Sequence, residues 1–252
     1  MFEILKVRHN QGFRTVRFPA EAPSLPDHFR GQPKLEASLC PSDCSSCSEA
    51  CPTGAIDLTN GLTLDKGRCL FCTACMDSCP TGAISFTKEH RLAAVHREDL
   101  KINKGILKVG MHLSQKIREL YGRSLALRVV SAGGCGACEA EVNVLNTIIF
   151  DLSRFGIHYV ASPRHADALI VIGTVTLNMK EALKATFEAI PSPKFVIAVG
   201  ACAISGGPFI GLPDVLSGAE AVVPVDLFIP GCPPSPYTIL DGILRVLGKA
   251  GS

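Results

Sequence analysis

The sequence predicts an α/β protein with two unlike parts: a small α+β domain rich in cysteine over residues 36–90 and a doubly wound parallel sheet over 125–252. Three observations carry this. From Leu125 onward, short β-branched runs alternate with helical periodicity. Upstream, a six-residue stretch beginning with cysteine occurs twice. The twelve cysteines sort into three groups of four.

Composition bounds the function. At 252 residues, 47% hydrophobic and 19% charged, the chain is an ordinary globular protein of one large domain or two smaller ones. A formal charge of +2 with no aromatic-interleaved basic patch gives no support for nucleic acid as a partner. Twelve cysteines would suit secreted disulfides, but the N-terminal stretch has no apolar core and no twin arginine. Reduced thiolates holding metal in the cytoplasm are the better account. The greasiest stretches, Phe195–Ile204 and Ala221–Ile229, are about half the roughly 18 residues of a membrane helix. The expectation is a cytoplasmic protein, peripheral to any membrane and attached only through partners.

Residues 1–35 contain several prolines and no clear periodicity, and read as an extended N-terminal arm lying along a partner. The repeat follows. Cys51-Pro-Thr-Gly-Ala-Ile56 recurs as Cys79-Pro-Thr-Gly-Ala-Ile84, a shift of 28 residues that also maps Cys44 onto Cys72 and Cys47 onto Cys75. Cys69, Cys72, Cys75 and Cys79 with Pro80 read C-x2-C-x2-C-x3-C-P, in which three thiolates hold one [4Fe–4S] cube and the fourth reaches the other cube of a two-cluster ferredoxin. Cys40, Cys44, Cys47 and Cys51 form the partner group, with one extra residue after Cys40.

Residues 91–124 read as a linker containing a helix at Met111–Tyr121, with Leu113, Ile117 and Leu120 on one face. Strands are predicted at Leu125–Val130, His158–Ala161, Ala168–Ile172, Phe195–Val199 and Val222–Ile229. Helices are predicted at Glu139–Phe155, Asn178–Ile190 and Tyr237–Leu247. Strands apolar on both faces and alternating with helices imply a parallel sheet covered on both sides. Cys135 and Cys138 follow the first of these strands, Cys202 follows Phe195–Val199, and Cys232 follows the last. All four therefore sit at the carboxyl edge, where open α/β sheets bind ligands. Glycines beside them let backbone N–H groups approach sulfur. The competing readings are that Cys202 and Cys232 are small buried hydrophobes, or that the quartet holds zinc.

The stretches GGCGACEAE, SPRHADALIVIG, FVIAVGACAISGG and VPVDLFIPGCPPSPYTILDGIL make residues 125–248 resemble the flavodoxin-like small subunit shared by [NiFe]-hydrogenases and respiratory complex I. Complex I members carry two adjacent cysteines at the first position; Cys135-Gly-Ala-Cys138 has the C-x-x-C form of hydrogenase small subunits. The sequence is thus most similar to the energy-converting, formate-hydrogenlyase-like group, with a two-cluster ferredoxin fused at its N-terminus. That group's small subunit lacks an export signal and a C-terminal cluster domain, and neither is visible here.

The resemblance implies three [4Fe–4S] clusters. Cys135, Cys138, Cys202 and Cys232 would hold the proximal one. In the ferredoxin part, the crossed rule assigns Cys40, Cys44, Cys47 and Cys79 to one cluster, and Cys69, Cys72, Cys75 and Cys51 to the other. A three-iron form is the lesser option for the cluster led by Cys40. The implied partners are a hydrogenase large subunit carrying the nickel–iron site, membrane subunits of the complex, and ferredoxin or a formate-oxidising module at the far end. No catalytic residue is expected on this chain. Glu141 matches an acidic position that faces the large subunit, a candidate proton relay. Glu139 reads as a carboxylate complementing the helix dipole, and Arg164 and His165 as anchors of a strand loop. Pro233, Pro234 and Pro236 fix the Cys232 loop and start the last helix. The other histidines show no ligand spacing. Two alternatives stay open: a complex I-like subunit reducing quinone, and a zinc-stabilised scaffold.

Overall fold

The computed structural model describes residues 2–12, 14–41, 43–103 and 124–249. Helix α1 (Phe2–Gln11) buries none of its side chains. Residues 1–35 were expected to be extended, but proline first appears at Pro19, so nothing in the first ten residues breaks a helix. Nor does the rest of the arm wait for a partner. Val16 N–H donates to the Ile149 carbonyl, Phe18 is buried, and Pro33–Leu35 is strand β1 of the next domain.

That domain is built from very short elements. Helix α2 (Ser46–Glu49) precedes β2 (Ile56–Asp57) and β3 (Thr63–Asp65); helix α3 (Ala74–Asp77) precedes β4 (Ile84–Phe86). Strand β1 pairs antiparallel with β4. The repeat is visible in the two halves, and Ser78 Oγ donates to the Ser46 carbonyl to tie α3 to α2. Part of the predicted linker belongs here as well. Lys101–Asn103 forms β5 and completes a sheet of order β2-β3-β5. Three polar–apolar residues are too short for periodicity to mark. The helix predicted at Met111–Tyr121 lies outside the described residues.

From β6 (Leu125–Ser131) the chain follows the predicted winding: α4 (Ala137–Val144), β7 (Ile157–Tyr159), β8 (Ala168–Ile172), α5 (Leu177–Ala189), β9 (Phe195–Val199), α6 (Ala201–Ser205), β10 (Leu227–Ile229) and α7 (Pro236–Val246). The five strands are all parallel in the order β10-β9-β8-β6-β7. Counted within the domain this is the flavodoxin-like order, with its switch point between the first and third strands. Side chains alternate between the faces: Ile170, Ile172, Ile197 and Val199 meet α4 and α7, while Leu169, Val171, Val196 and Ala198 meet α5 and α6.

Three predicted elements are shorter than expected, the least changed being β7, which ends at Tyr159 rather than Ala161. The helix after Cys138 stops at Val144, and turns carry the chain to Asp151, whose φ of +47° is left-handed. The last strand begins at Leu227, because Ala219–Ala221 is a 3-10 turn and Pro224 lacks an N–H for the ladder. Among the described residues, no helix is long and apolar enough to cross a membrane.

The two domains are docked directly. Ser205 Oγ donates to the Gly67 carbonyl at 3.0 Å, beside Asp65, which Arg97 of the same domain clamps with two bonds of 2.8 and 2.6 Å. Gly67 lets the two domains pack closely: a Cβ would meet Arg97 Cζ and Ile204 Cγ2, each at 2.8 Å. Ala94 exchanges backbone hydrogen bonds with Phe228, covering the edge of β10.

Candidate metal centres

The repeat reads as hydrogen bonds to sulfur. Ala55 N–H donates to Cys51 Sγ at 3.2 Å, and the equivalent Ala83 N–H donates to Cys79 Sγ at 3.3 Å. Thr53 and Thr81 hydroxyls stand 3.8 and 3.7 Å from the same two sulfurs. Between them, Gly54 and Gly82 take φ of +58° and +67°, the left-handed turn that folds each Ala N–H back over its cysteine. This is the physical content of Cys-Pro-Thr-Gly-Ala.

Neighbouring cysteines come mostly from one copy of the repeat, with one crossing over from the other. Burial raises the Cys47 thiol, and Cys40 and Cys79 beside it raise it further. Burial pushes the Cys69 thiol up to about 12; the Phe71 N–H on its sulfur opposes this, and Cys75, Cys51 and Cys72 add to it. Cys75 is pushed to about 11 by burial and by Cys51 and Cys72. Cys79 differs. Burial would raise it, but the Thr81 hydroxyl and the backbone N–H groups of Thr81, Ala83 and Ile84 outweigh that and hold it below the ordinary thiol. Cys44 Sγ is 3.7 Å from Ser46 Oγ, on the loop leading into α2.

The third group is assembled by the sheet. The Cys135 loop is pinned to the loop after β8, where Thr174 Oγ1 donates to the Gly133 carbonyl at 2.8 Å and Thr176 N–H to that of Ala132. This is the switch point. The loops after β9 and β10 are tied by Ala201 N–H to the Gly231 carbonyl at 2.8 Å. Ser235 caps α7, accepting from Tyr237 N–H, with Pro236 in the first turn. Burial pushes Cys138 up to about 12, with Cys202, Cys232 and Cys135 adding. Cys202 rises to about 11 by burial and by Cys232 and Cys135.

Glycine shapes this cradle. A Cβ on Gly200 (φ +91°) would stand 2.7 Å from Cys138 Sγ, and one on Gly207 (φ +56°) would stand 2.8 Å from Cys202 Sγ. Burial disfavours the thiolate at Cys138, Cys202 and Cys232, so metal binding there must displace protons. Among the described residues, no three His, Cys, Asp or Glu side chains converge as ligands of a single ion. A tetrahedral zinc needs four sulfurs about 2.3 Å from one centre, whereas a cube spreads its thiolates over four irons. Cysteines on glycine-shaped loops are a donor set that fits a thiolate-held cube.

Cys72 and Cys232, both exposed, approach each other across the domain boundary. Burial raises the Cys232 thiol, followed by Cys135 and then by Cys72 of the other domain. Both line one cavity of about 810 Å³, together with Arg30, Phe71, Glu141 and Tyr237. Sequence reasoning could not find this pairing, since no local signal relates the two loops. Glu141 faces that cavity, and burial raises its carboxyl. Glu139 accepts from Ser131 Oγ and so braces the Cys135 loop.

Arg164 and His165 are exposed. Asp167 does the anchoring assigned to them, its Oδ2 accepting from Ala126 N–H at 2.7 Å. Asp226 repeats the device on Val196 N–H at 2.8 Å. The signal was available: each aspartate directly precedes a buried strand.

Residues 135–246 match the family of the NADH ubiquinone oxidoreductase 20 kDa subunit, and residues 39–83 match the 4Fe-4S dicluster domain. A probable membrane-bound hydrogenase subunit of Pyrococcus furiosus is 41% identical over 140 residues, 54% of this chain and 84% of that protein. Formate hydrogenlyase subunit 7 of Escherichia coli is 40% identical over 59% of this chain and 57% of its own length. An NADH-quinone oxidoreductase subunit of Heliobacterium modesticaldum is 41% identical over 47% of this chain and 68% of its own length. The chain therefore belongs to the 20 kDa subunit family, which spans hydrogenase and NADH-quinone oxidoreductase subunits, and carries a 4Fe-4S dicluster domain on the same polypeptide.

Proposed function

We propose that this chain is the electron-transfer subunit of a multi-subunit, formate-hydrogenlyase-like [NiFe]-hydrogenase. It would carry electrons between a redox partner and a nickel–iron site on a large subunit, with attachment to a membrane through other subunits. The observation that carries the electron path is the approach of Cys72 to Cys232 across one cavity. Three [4Fe–4S] clusters supply one-electron transfer when bound. Cys40, Cys44, Cys47 and Cys79 would hold the outer cluster, Cys69, Cys72, Cys75 and Cys51 the middle one, and Cys135, Cys138, Cys202 and Cys232 the innermost. The groupings of Cys47 with Cys40 and Cys79, and of Cys69 with Cys51, support the crossed assignment.

The protein's part is to hold the thiolates and direct N–H groups at their sulfurs. Backbone donors on Cys51, Cys69 and Cys79 stabilise added negative charge, which raises a cluster's potential. Glu141 is the candidate proton carrier beside the path. Cys135-Gly-Ala-Cys138 supports hydrogen over quinone as the substrate of the partner site.

Anaerobic purification tests the reading. The expected result is about twelve irons per chain and a co-purifying large subunit containing nickel on two C-x-x-C pairs. A large subunit lacking those cysteines, with quinone-dependent activity, would replace hydrogenase with the complex I-like reading. Recovery of about four irons would remove the two outer sites.

A further inference from the structure

The N-terminal arm runs over both domains and touches the gap between their metal centres. At one end it is fixed to the sheet domain. Thr15 Oγ1 donates to the Ile148 carbonyl at 2.8 Å, and Arg154 Nη2 donates to that of Phe18 at 2.7 Å. The Phe18 ring is 6% exposed and packs edge-on against His90 and Tyr237, each at 5.6 Å. At the other end, Gly31 and Gln32 N–H groups donate to the Thr87 and Glu89 carbonyls, leading into β1 of the cluster domain.

Between these anchors, Leu25, Phe29 and Arg30 line the cavity that holds Cys72 and Cys232. Arg30 Nη1 donates to the Phe71 carbonyl at 3.2 Å. Phe71 is an unusual residue to find there. Its φ is +54°, a conformation a bulky side chain keeps only when its surroundings impose it, and Thr73 two residues on has φ +69°. That strained turn gives the Phe71 N–H to Cys69 Sγ and leaves its carbonyl to Arg30.

We propose that residues 15–32 form a strap that sets the gap between the Cys72 and Cys232 loops, with Phe18 as its anchor and Arg30 as the positioning residue on the strained turn. Arg30 holds the Phe71 peptide in place and sets a fixed positive charge beside the middle centre, which raises its potential. The inference rests on the three-cluster reading, so its test includes a readout that needs no cluster.

The full chain, prepared anaerobically, is compared with Arg30→Met, Arg30→Lys and Phe18→Ala. Hydrogen exchange is followed at residues 69–74, and the potential and spin coupling of the clusters by redox-poised electron paramagnetic resonance. Losing a contact of about 1 kcal/mol accelerates local exchange about five-fold. Arg30→Met and Phe18→Ala are expected to do this at residues 69–74 while β8 is unchanged. Arg30→Met also lowers the middle cluster's potential, and Arg30→Lys restores it. Unchanged exchange and potential in Arg30→Met would overturn the strap. Should Phe18→Ala fail to fold, the Arg30 pair decides alone. If the parent protein holds fewer than three clusters, the functional reading fails, and exchange alone decides the strap.

Discussion

The two domains gather their cysteines, eight in one and four in the other, by opposite means. In the cluster domain the strands are two or three residues long, and the core counts Cys47, Cys69 and Cys75 among its buried residues. Its ligands are part of what it folds around. In the sheet domain, two layers of aliphatic side chains sandwich five strands, and the cysteines stand on loops at the edge. There the fold exists first and the site is placed upon it. On the proposed reading, a metal group is structural in one domain and mounted in the other.

Stripping iron is the broadest way to break this contrast. A small domain whose core includes its metal ligands gains much of its folding free energy from the metal. Chelation under anaerobic conditions should therefore abolish exchange protection across residues 33–103 while β6, β8 and β9 stay protected. Simultaneous loss of protection in both domains would mean that the sheet also depends on its cluster.

Glycine substitutions sharpen the contrast one site at a time. In Gly200→Ala the new Cβ would lie 2.7 Å from Cys138 Sγ, on backbone at φ +91° that disfavours it independently. The sheet should survive and the third cluster should not, so iron falls from about twelve to about eight per chain. Gly54→Ala is the control: its φ is +58° but nothing lies within 4 Å of the added Cβ. It should cost only about 1–2 kcal/mol of backbone strain and keep all the iron. Equal iron loss in both would show that conformation, not the contact with sulfur, governs the third site.

Where the domains meet, Lys66 is 3% exposed, and burial drops its pKa to about 8 against the pull of Asp99 and Asp65. Its folded value lies below its unfolded value of 10.5, so the folded state binds fewer protons there. The resulting cost is present in full below pH 8 and disappears as pH rises to about 10.5. It amounts to about 3 kcal/mol at neutral pH. Lys66→Met should stabilise the protein by about 2 kcal/mol at pH 7, after losing the bond to the Leu92 carbonyl. The gain should shrink as pH rises above 8 and turn into a loss of about 1 kcal/mol above pH 10.5 in denaturant titrations. A gain independent of pH would assign the effect to packing.

What could be read from sequence follows the same division. Strands β8 and β9 were legible to the residue, because strands buried on both faces are unbroken aliphatic runs. The two cysteine groups of the cluster domain stand out in the sequence because their members are local and repeated. The third group needed the topology, and the parallel order supplies it. What sequence concealed depends on contacts far apart in the chain: the burial of Phe18 against Tyr237, the approach of Cys72 to Cys232, and Lys101–Asn103 pairing with β3. Averaging over residues 1–35 also hid a proline-free start that forms a helix.

The smallest effect tests the repeat itself. Thr53 and Thr81 occupy equivalent positions, but their surroundings differ. Thr53 is buried, and its hydroxyl donates to the Arg68 carbonyl at 2.7 Å. Thr81 is exposed, and its hydroxyl is the leading influence holding the Cys79 thiol down against burial. Thr53→Val leaves a carbonyl without its donor and should cost about 1–2 kcal/mol. Thr81→Val should change stability by less than about 0.5 kcal/mol. Redox titration should reverse the ranking. Without the Thr81 hydroxyl, the sulfur loses a donor that favours its negative charge, so the cluster held by Cys79 should become harder to reduce. Thr53→Val should move its cluster less, since that hydroxyl is already committed to Arg68. If both variants shift potential equally, the two copies of the repeat are equivalent in function, and the difference in their surroundings matters only to folding.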